Sequence, residues 1–331
     1  MKFKKAPTQD KVLAELEKAI RLAMRRLENK SMSGLSNLWK EYSRKLKGEL
    51  IMEYKSLVPQ GRWSLDIAKR SGLLFRMEWI VYRHMADFNA LALSFMKSEL
   101  RKHYEHEYYT AAYMLDVTTP PNIHVKLRPQ MREANIRFAA GAGSWTAWHE
   151  RMSTWTTAWE SALRANILLN AVNNGTADDV VSEVDATRIG TPAVTFWDAV
   201  SRLFLTTILQ TQSEARADMS ELNSELIQDE IWQTMEDERV CDECDPLNGL
   251  TREETEDEEP PLHPRCRCFY RIMPRQWIDM ADRELAHAMD VAGVVPDGMY
   301  MRDPETGDIK GVAIVSFNKW ADDKIIALGT K

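Results

Sequence analysis

A mainly α protein with a small α+β C-terminal module is the fold class that this sequence predicts. Three observations lead there. The 331 residues hold only 14 Gly and 13 Pro, too few punctuating residues for an architecture of many short strands. Between residues 62 and 115 there is no proline and one glycine, Gly72, in a run rich in Leu, Met, Ala and aromatics. Strand-like patterning is concentrated in residues 299–317, where two short runs flank Pro304-Glu305-Thr306-Gly307. That arrangement predicts a β-hairpin.

The elements follow in chain order. Thr8 is an N-cap candidate for an amphipathic helix over 8–30, in which Val12, Leu16, Ala19, Ala23 and Leu27 recur at spacings of three and four. A second helical stretch covers about 35–57 and ends at Pro59-Gln60-Gly61. Residues 62–115 read as one long helix or two in series. The adjacent Pro120 and Pro121 cannot continue a helix, so the stretch 117–129 breaks it. This gives three segments: a helical region over 1–116, a module over 130–275 that contains every cysteine, and a C-terminal helix (276–290) with the hairpin over 276–331.

Within the second segment, Trp145, Trp148, Met152, Trp155 and Trp159 are spaced 3, 4, 3 and 4, the a/d pattern of a heptad seam, and Ala162, Asn166 and Leu169 continue it. Tryptophans on one helical face need large apolar partners. A buried helix–helix contact supplies them inside the fold. A docking face for another subunit, carried by Trp145, Trp148, Trp155 and Trp159, supplies them from outside. The turn Asn173-Asn174-Gly175 ends this helix, 178–184 forms a short one, and Gly190-Thr191-Pro192 stops that. A further helix runs from about Ala193 to Met219 and on through Ile231.

Hydrophobic residues make up 44% and charged residues 28%, the composition of a globular chain rather than a disordered one. No run of about 18 uncharged apolar residues predicts a membrane span. The opening MKFKKAPTQDKVL has no apolar core before Asp10, so a secretory signal is not expected, and a reducing cytosol is. The net charge of −7 hides an asymmetry: residues 1–110 carry 22 Lys+Arg against 13 Asp+Glu, whereas 218–259 carries 17 acids and two bases. Solvated helix faces are the simple reading of the basic part. Contact with nucleic acid or an acidic protein is the sharper one.

All four cysteines lie in CDECDPLNGLTREETEDEEPPLHPRCRC, residues 241–268, with His263 between the pairs. A C-x-x-C turn can aim two sulfurs at one tetrahedral site, and Zn²⁺ takes four Cys or His ligands, usually two from each of two short elements. The expected zinc ligands are Cys241, Cys244, His263 and Cys266, with Cys268 as the alternative to Cys266. Such a site would be structural, all its positions being filled by protein. A disulfide framework is the competing reading. The acidic run 253–259 reads as a solvated loop tip, with Arg265, Arg267 and Arg271 as partial compensation. No phosphate-binding G-x-x-x-x-G-K-[ST], G-x-S-x-G or H-E-x-x-H motif is present, and the expectation is a binding protein rather than an enzyme. His103 and His106, with Glu105 and Glu107, read as surface polar residues, and His84 as a structural one.

From Trp232 through Thr234, Arg239, Cys241, Cys244, Leu247 and Gly249, and then from Pro260 through His263, Cys266 and Cys268, the chain resembles the phage head morphogenesis family, the Mu F-like minor head proteins. That family shows a W-x-T-x-x-D-x-R-V-C-x-x-C-x-x-L-x-G stretch followed by P-P-x-H-P-x-C-R-C. The match is close over about 232–274. The resemblance implies a minor capsid protein of a tailed phage virion, bound to the portal protein inside the head and acting in head assembly, packaging or genome delivery. Major capsid or scaffold protein and packaged DNA are further implied contacts, with no membrane partner. A zinc-containing DNA-binding module within the virion is the alternative.

Overall fold

Long proline-free runs become long helices. The fold was obtained as a computed structural model that describes residues 9–58, 66, 72–118, 125–128, 142–173, 175–190, 193–234, 242–256, 258–263, 266–274, 300–302, 309–311 and 320. It is mainly helical, as expected. Helix α1 spans Gln9–Leu57, α2 Leu73–Thr118, α3 Ala142–Val172, α4 Ala177–Ala186 and α5 Phe196–Leu222. The strands are short: β1 Arg188–Ile189, β2 Val194–Thr195, β3 Ile227–Gln233, β4 Phe269–Pro274, β5 Tyr300–Arg302 and β6 Ile309–Gly311. No helix among the described residues is long and apolar enough to cross a membrane.

Two expectations are corrected here. The separate helices over 8–30 and 35–57 are one helix of 49 residues. Gly34 lies in its middle, where a Cβ would come 2.6 Å from Phe95 Cζ on α2. The glycine is a packing site rather than a break. The helix expected to run on through Ile231 stops at Leu222. Buried Asn223 ends it: its side chain donates to Lys126 O at 3.1 Å and accepts from Lys126 N at 2.7 Å. After a turn of 3-10 helix over Ser224–Leu226, residues 227–233 are strand β3, paired antiparallel with β4 from Ile227↔Pro274 to Gln233↔Phe269. The hairpin expected near 299–317 is present as β5 and β6, paired Tyr300↔Gly311 to Arg302↔Ile309. Thr8, the breaks at 59–61 and 119–124, the helix expected over 276–290, the turn 304–307 and the terminal residues lie outside the described residues.

The contacts divide the chain into two units. Residues 28–99 and 143–207 form a helical unit; residues 1–27, 100–142 and 208–331 form the unit that contains the cysteines. The division passes through α1, α2 and α5, each of which contributes to both.

In the helical unit Trp39, Phe88, Trp159 and Phe196 make one aromatic cluster, with Trp39 5.2 Å from Phe88, 6.0 Å from Trp159 and 5.1 Å from Phe196. Trp159 is fully buried there, so its part in an external docking face is corrected: its partners are inside the fold. Trp155 is half-buried. Trp145 and Trp148 stand on the first turns of α3, but their side chains lie outside the described residues. Past Trp159 the buried line runs through Leu163 and Ile167, while Leu169 is exposed. A straight helix of 3.6 residues per turn drifts off a strict heptad seam in this way. Helix α4 starts with a capping box: Thr176 Oγ1 accepts from Asp179 N at 3.3 Å, and Asp179 Oδ2 accepts from Thr176 N at 2.6 Å. Val180 and Val184 are the buried face of this helix.

In the other unit α2 and α5 are joined by polar pairs. Arg216 is buried against Glu107, donates to Tyr270 O at 3.3 Å and lies 3.7 Å over the ring of Phe269. It thereby ties β4 to the helices. His103 is fully buried with its Nδ1 3.0 Å from Gln212 Nε2. His103 and Glu107 are therefore interior residues, contrary to the surface reading. Each meets a partner on α5 that α2's own sequence does not reveal. In the helical unit His84 is buried with Nε2 3.1 Å from Glu49, in keeping with a structural role.

Candidate metal centre

The site is built on β3 and β4. Trp232 on β3 is fully buried and meets Tyr270 on β4 edge-to-face, with centroids 5.4 Å apart at 87°. Cys244 and Cys266 complete a buried cluster with these two rings, and Leu247, Leu262 and Cys268 pack against it. An aromatic floor of this kind removes the thiols from water.

The chain after Cys244 turns back onto β3. Asp245–Leu247 form a 3-10 turn with Pro246 in its first positions, where the missing N–H is no loss. Leu247 N donates to Cys244 O at 3.2 Å. Gly249 has φ +88°, a left-handed backbone that favours glycine. It directs residues 249–252 alongside β3: Gly249 N donates to Trp232 O at 2.8 Å, Trp232 N to Leu250 O at 2.7 Å and Arg252 N to Glu230 O at 2.8 Å. Asn248 Oδ1 accepts from Thr234 N at 2.9 Å. Trp232, Thr234, Leu247 and Gly249, the positions that stood out as a motif in the sequence, are thus the framework of the turn.

Three donors converge. Cys244 Sγ lies 3.3 Å from His263 Nε2 and 3.6 Å from Cys266 Sγ. The ligand atoms of Cys244, His263 and Cys266 all fall within 4.8 Å of one another. Two thiolates bound at the zinc distance on a tetrahedral ion stand about 3.8 Å apart, and a thiolate and an imidazole about 3.6 Å. The two observed separations, 3.3 and 3.6 Å, lie a little inside those edges. The group can hold a metal ion, and its soft sulfur and imidazole donors suit zinc among the common divalent ions.

Cys268 belongs to the same cluster, half-buried. A hydrogen bond from its thiol to Cys266 brings Cys266 down to about 5, against the opposing effect of burial; a backbone hydrogen bond from residue 268 adds to the lowering. Cys268 itself is pushed well above the usual thiol range, first by that hydrogen bond and then by burial. Of the two expected alternatives, Cys266 is the one among the three converging donors, and Cys268 packs beside them. Cys244, Cys266 and Cys268 are free thiols. Cys241 lies outside the described residues.

The described acids of the loop, Glu253, Glu254, Glu256, Glu258 and Glu259, are exposed, as a solvated tip requires, while its backbone is pinned to the strands. Arg252 pairs with Glu230 at 2.7 Å and with Glu259, and its guanidinium lies 4.1 Å from the centre of the Tyr270 ring. Tyr270 Oη donates to Glu258 O at 2.7 Å and is 2.6 Å from the hydroxyl of buried Thr255. Thr251 N donates to Glu254 Oε2 at 2.8 Å, which holds the Glu254 carboxyl below its usual range. Arg252 was not singled out by sequence reasoning, which looked to Arg265, Arg267 and Arg271. The available signal was that Arg252 is the only base among residues 240–264.

Compared with known proteins, the chain matches no family model, and no curated protein or solved structure is significantly similar to it.

Proposed function

We propose that this chain is a portal-associated minor capsid protein of a tailed phage, acting through binding, with zinc closing the clasp formed by residues 232–274. One observation carries the reading. The residues through which the chain resembles the phage head morphogenesis family are those that build the clasp: Trp232 as floor, Leu247 and Gly249 as turn, and Cys244, His263 and Cys266 as converging donors. Zinc would be structural, held by Cys244, His263 and Cys266 with Cys268 or Cys241 completing four. Bound this way it leaves no position for water or substrate, and its contribution is to folding. The clasp would fix an acidic loop that has little apolar surface of its own to bury.

The test is co-expression with the portal protein of the phage that this reading implies. A stable complex that survives size-exclusion chromatography is expected. Free chain eluting apart from a portal ring at every ratio overturns the portal reading. Elemental analysis of the same preparation, with thiol counting, bears on zinc separately: one zinc per chain with no disulfide is expected, and metal-free protein lacking free thiols removes it. If DNA is the partner instead, binding will weaken steeply with salt.

A further inference from the structure

The helical unit carries an apolar face on α2 and α3. Phe75, Trp79 and Tyr82, at i, i+4 and i+7 on α2, are 72%, 57% and 56% exposed. Trp79 and Tyr82 stack with their ring centres 5.7 Å apart at 28°, which organises them into one surface. Tyr82 also lines a cavity of about 200 Å³ between α2 and α3, whose walls include Leu74, Val81, Glu160, Arg164 and Ile167. Beyond it α3 exposes Leu168 and Val172. Large aromatics at helical spacing beside a groove are the usual anchors of a protein contact, because they bury much area with little loss of side-chain freedom.

Charge selects the occupant. Glu160 is half-buried at the groove, burial raises its pKa, and it has no cation partner among the described residues. Arg164, one turn further along α3, reaches Glu78 at 2.8 Å yet leaves 68% of its side chain exposed. A foreign partner would have to bring both an apolar stripe and a cation placed for Glu160. A second copy of this chain already carries both on the same face. When two α3 helices run antiparallel about a twofold axis, Glu160 of each copy stands opposite Arg164 of the other, and the contact is satisfied twice.

We propose that the face formed by Phe75, Trp79, Tyr82, Glu160, Arg164 and Leu168 is a self-association surface, on which two copies meet as an antiparallel twofold pair. The proposal is independent of zinc and of the portal.

Sedimentation equilibrium of the full chain tests it. Wild type is expected to form a reversible dimer. Trp79→Lys places a charge in the centre of the contact and is expected to yield monomer, with helical circular dichroism and unfolding midpoint unchanged because the position is exposed. Glu160→Lys opposes Arg164 with a like charge and should weaken association by about tenfold. The double variant Glu160→Lys/Arg164→Glu, made together with Glu78→Gln because Arg164 pairs with Glu78, restores opposite charges across the axis and should recover association. That recovery decides the matter even if Trp79→Lys does not fold, since a merely structural role for Glu160 would not produce it. Wild type that stays monomeric overturns the proposal, whether the chain's own residues 59–71 or another protein covers the face. So does a dimer indifferent to Trp79→Lys, or a double variant no better than Glu160→Lys alone.

Discussion

Gly249 isolates one physical effect. Its φ of +88° disfavours a side chain, yet nothing lies within 4 Å of where a Cβ would sit. Gly249→Ala therefore meets backbone strain and no clash, and the expected loss is about 1–2 kcal/mol. Urea unfolding will show it as a lowered midpoint with an unchanged slope, and an unmoved midpoint would refute the account. Cys244 works differently. It is the donor from which both His263 and Cys266 are measured at under 4 Å. Cys244→Ser should abolish zinc retention after dialysis. Structural zinc contributes on the order of 10 kcal/mol to small domains, so this change should cost more stability than Gly249→Ala. Zinc bound at one per chain in Cys244→Ser would show that the metal sits elsewhere.

At the scale of elements, the joint between helices and sheet rests on Arg216. Its ion pair with Glu107 is buried, and Glu107 Oε2 has no hydrogen-bond partner. Arg216→Met leaves an uncompensated interior carboxylate and should destabilise by about 3–5 kcal/mol, whereas Arg216→Met with Glu107→Leu should recover most of that loss. Chemical unfolding of the two variants distinguishes charge imbalance from lost packing, because packing alone would leave the double variant no better. The cap of α4 gives a pH signature. Hydrogen bonds from Thr176 lower the Asp179 pKa below its ordinary 3.8. A depressed carboxyl contributes stability that is complete above the unfolded value and is lost as pH falls through the folded one. Asp179→Asn should thus lower stability near neutrality, where the ionised carboxyl contributes fully, and flatten the profile below about pH 4, where wild type loses that contribution. A profile identical to wild type would exclude the cap. The helices themselves were legible in the sequence, since proline-free apolar periodicity reports local structure. Strand β3 was not, because its pairing partner β4 begins 36 residues after Gln233, and Ile231 and Trp232 fit either a helix end or a strand until that partner is known. Gly34 was ambiguous for a similar reason: Phe95, which the missing Cβ admits, lies 61 positions away.

For the whole molecule, the cysteine cluster was legible because donor type and spacing are local signals, and three of the predicted ligands do converge. The tryptophan seam was only half legible. Heptad spacing marks which side of α3 is apolar, but whether that side meets the chain itself or another molecule depends on Trp39 and Phe196, which are far away in sequence. This separation predicts how the molecule responds to metal loss. The helical unit holds its own aromatic cluster, Trp39–Phe88–Trp159–Phe196. Among the described residues the clasp is built on a smaller cluster: beside the donors lie Trp232 and Tyr270, and the strands they stand on are seven and six residues long. If zinc closes the clasp as proposed, removing it by thiol modification with a chelator should raise hydrogen exchange in 227–233 and 244–252 by orders of magnitude, while amides of 77–96 and 152–167 keep their protection. The ladder from Gly249, Leu250 and Arg252 to β3 should be lost first, since those bonds depend on the turn that Cys244 anchors. Uniform loss of protection across both units would show instead that the clasp and the helical core unfold as one.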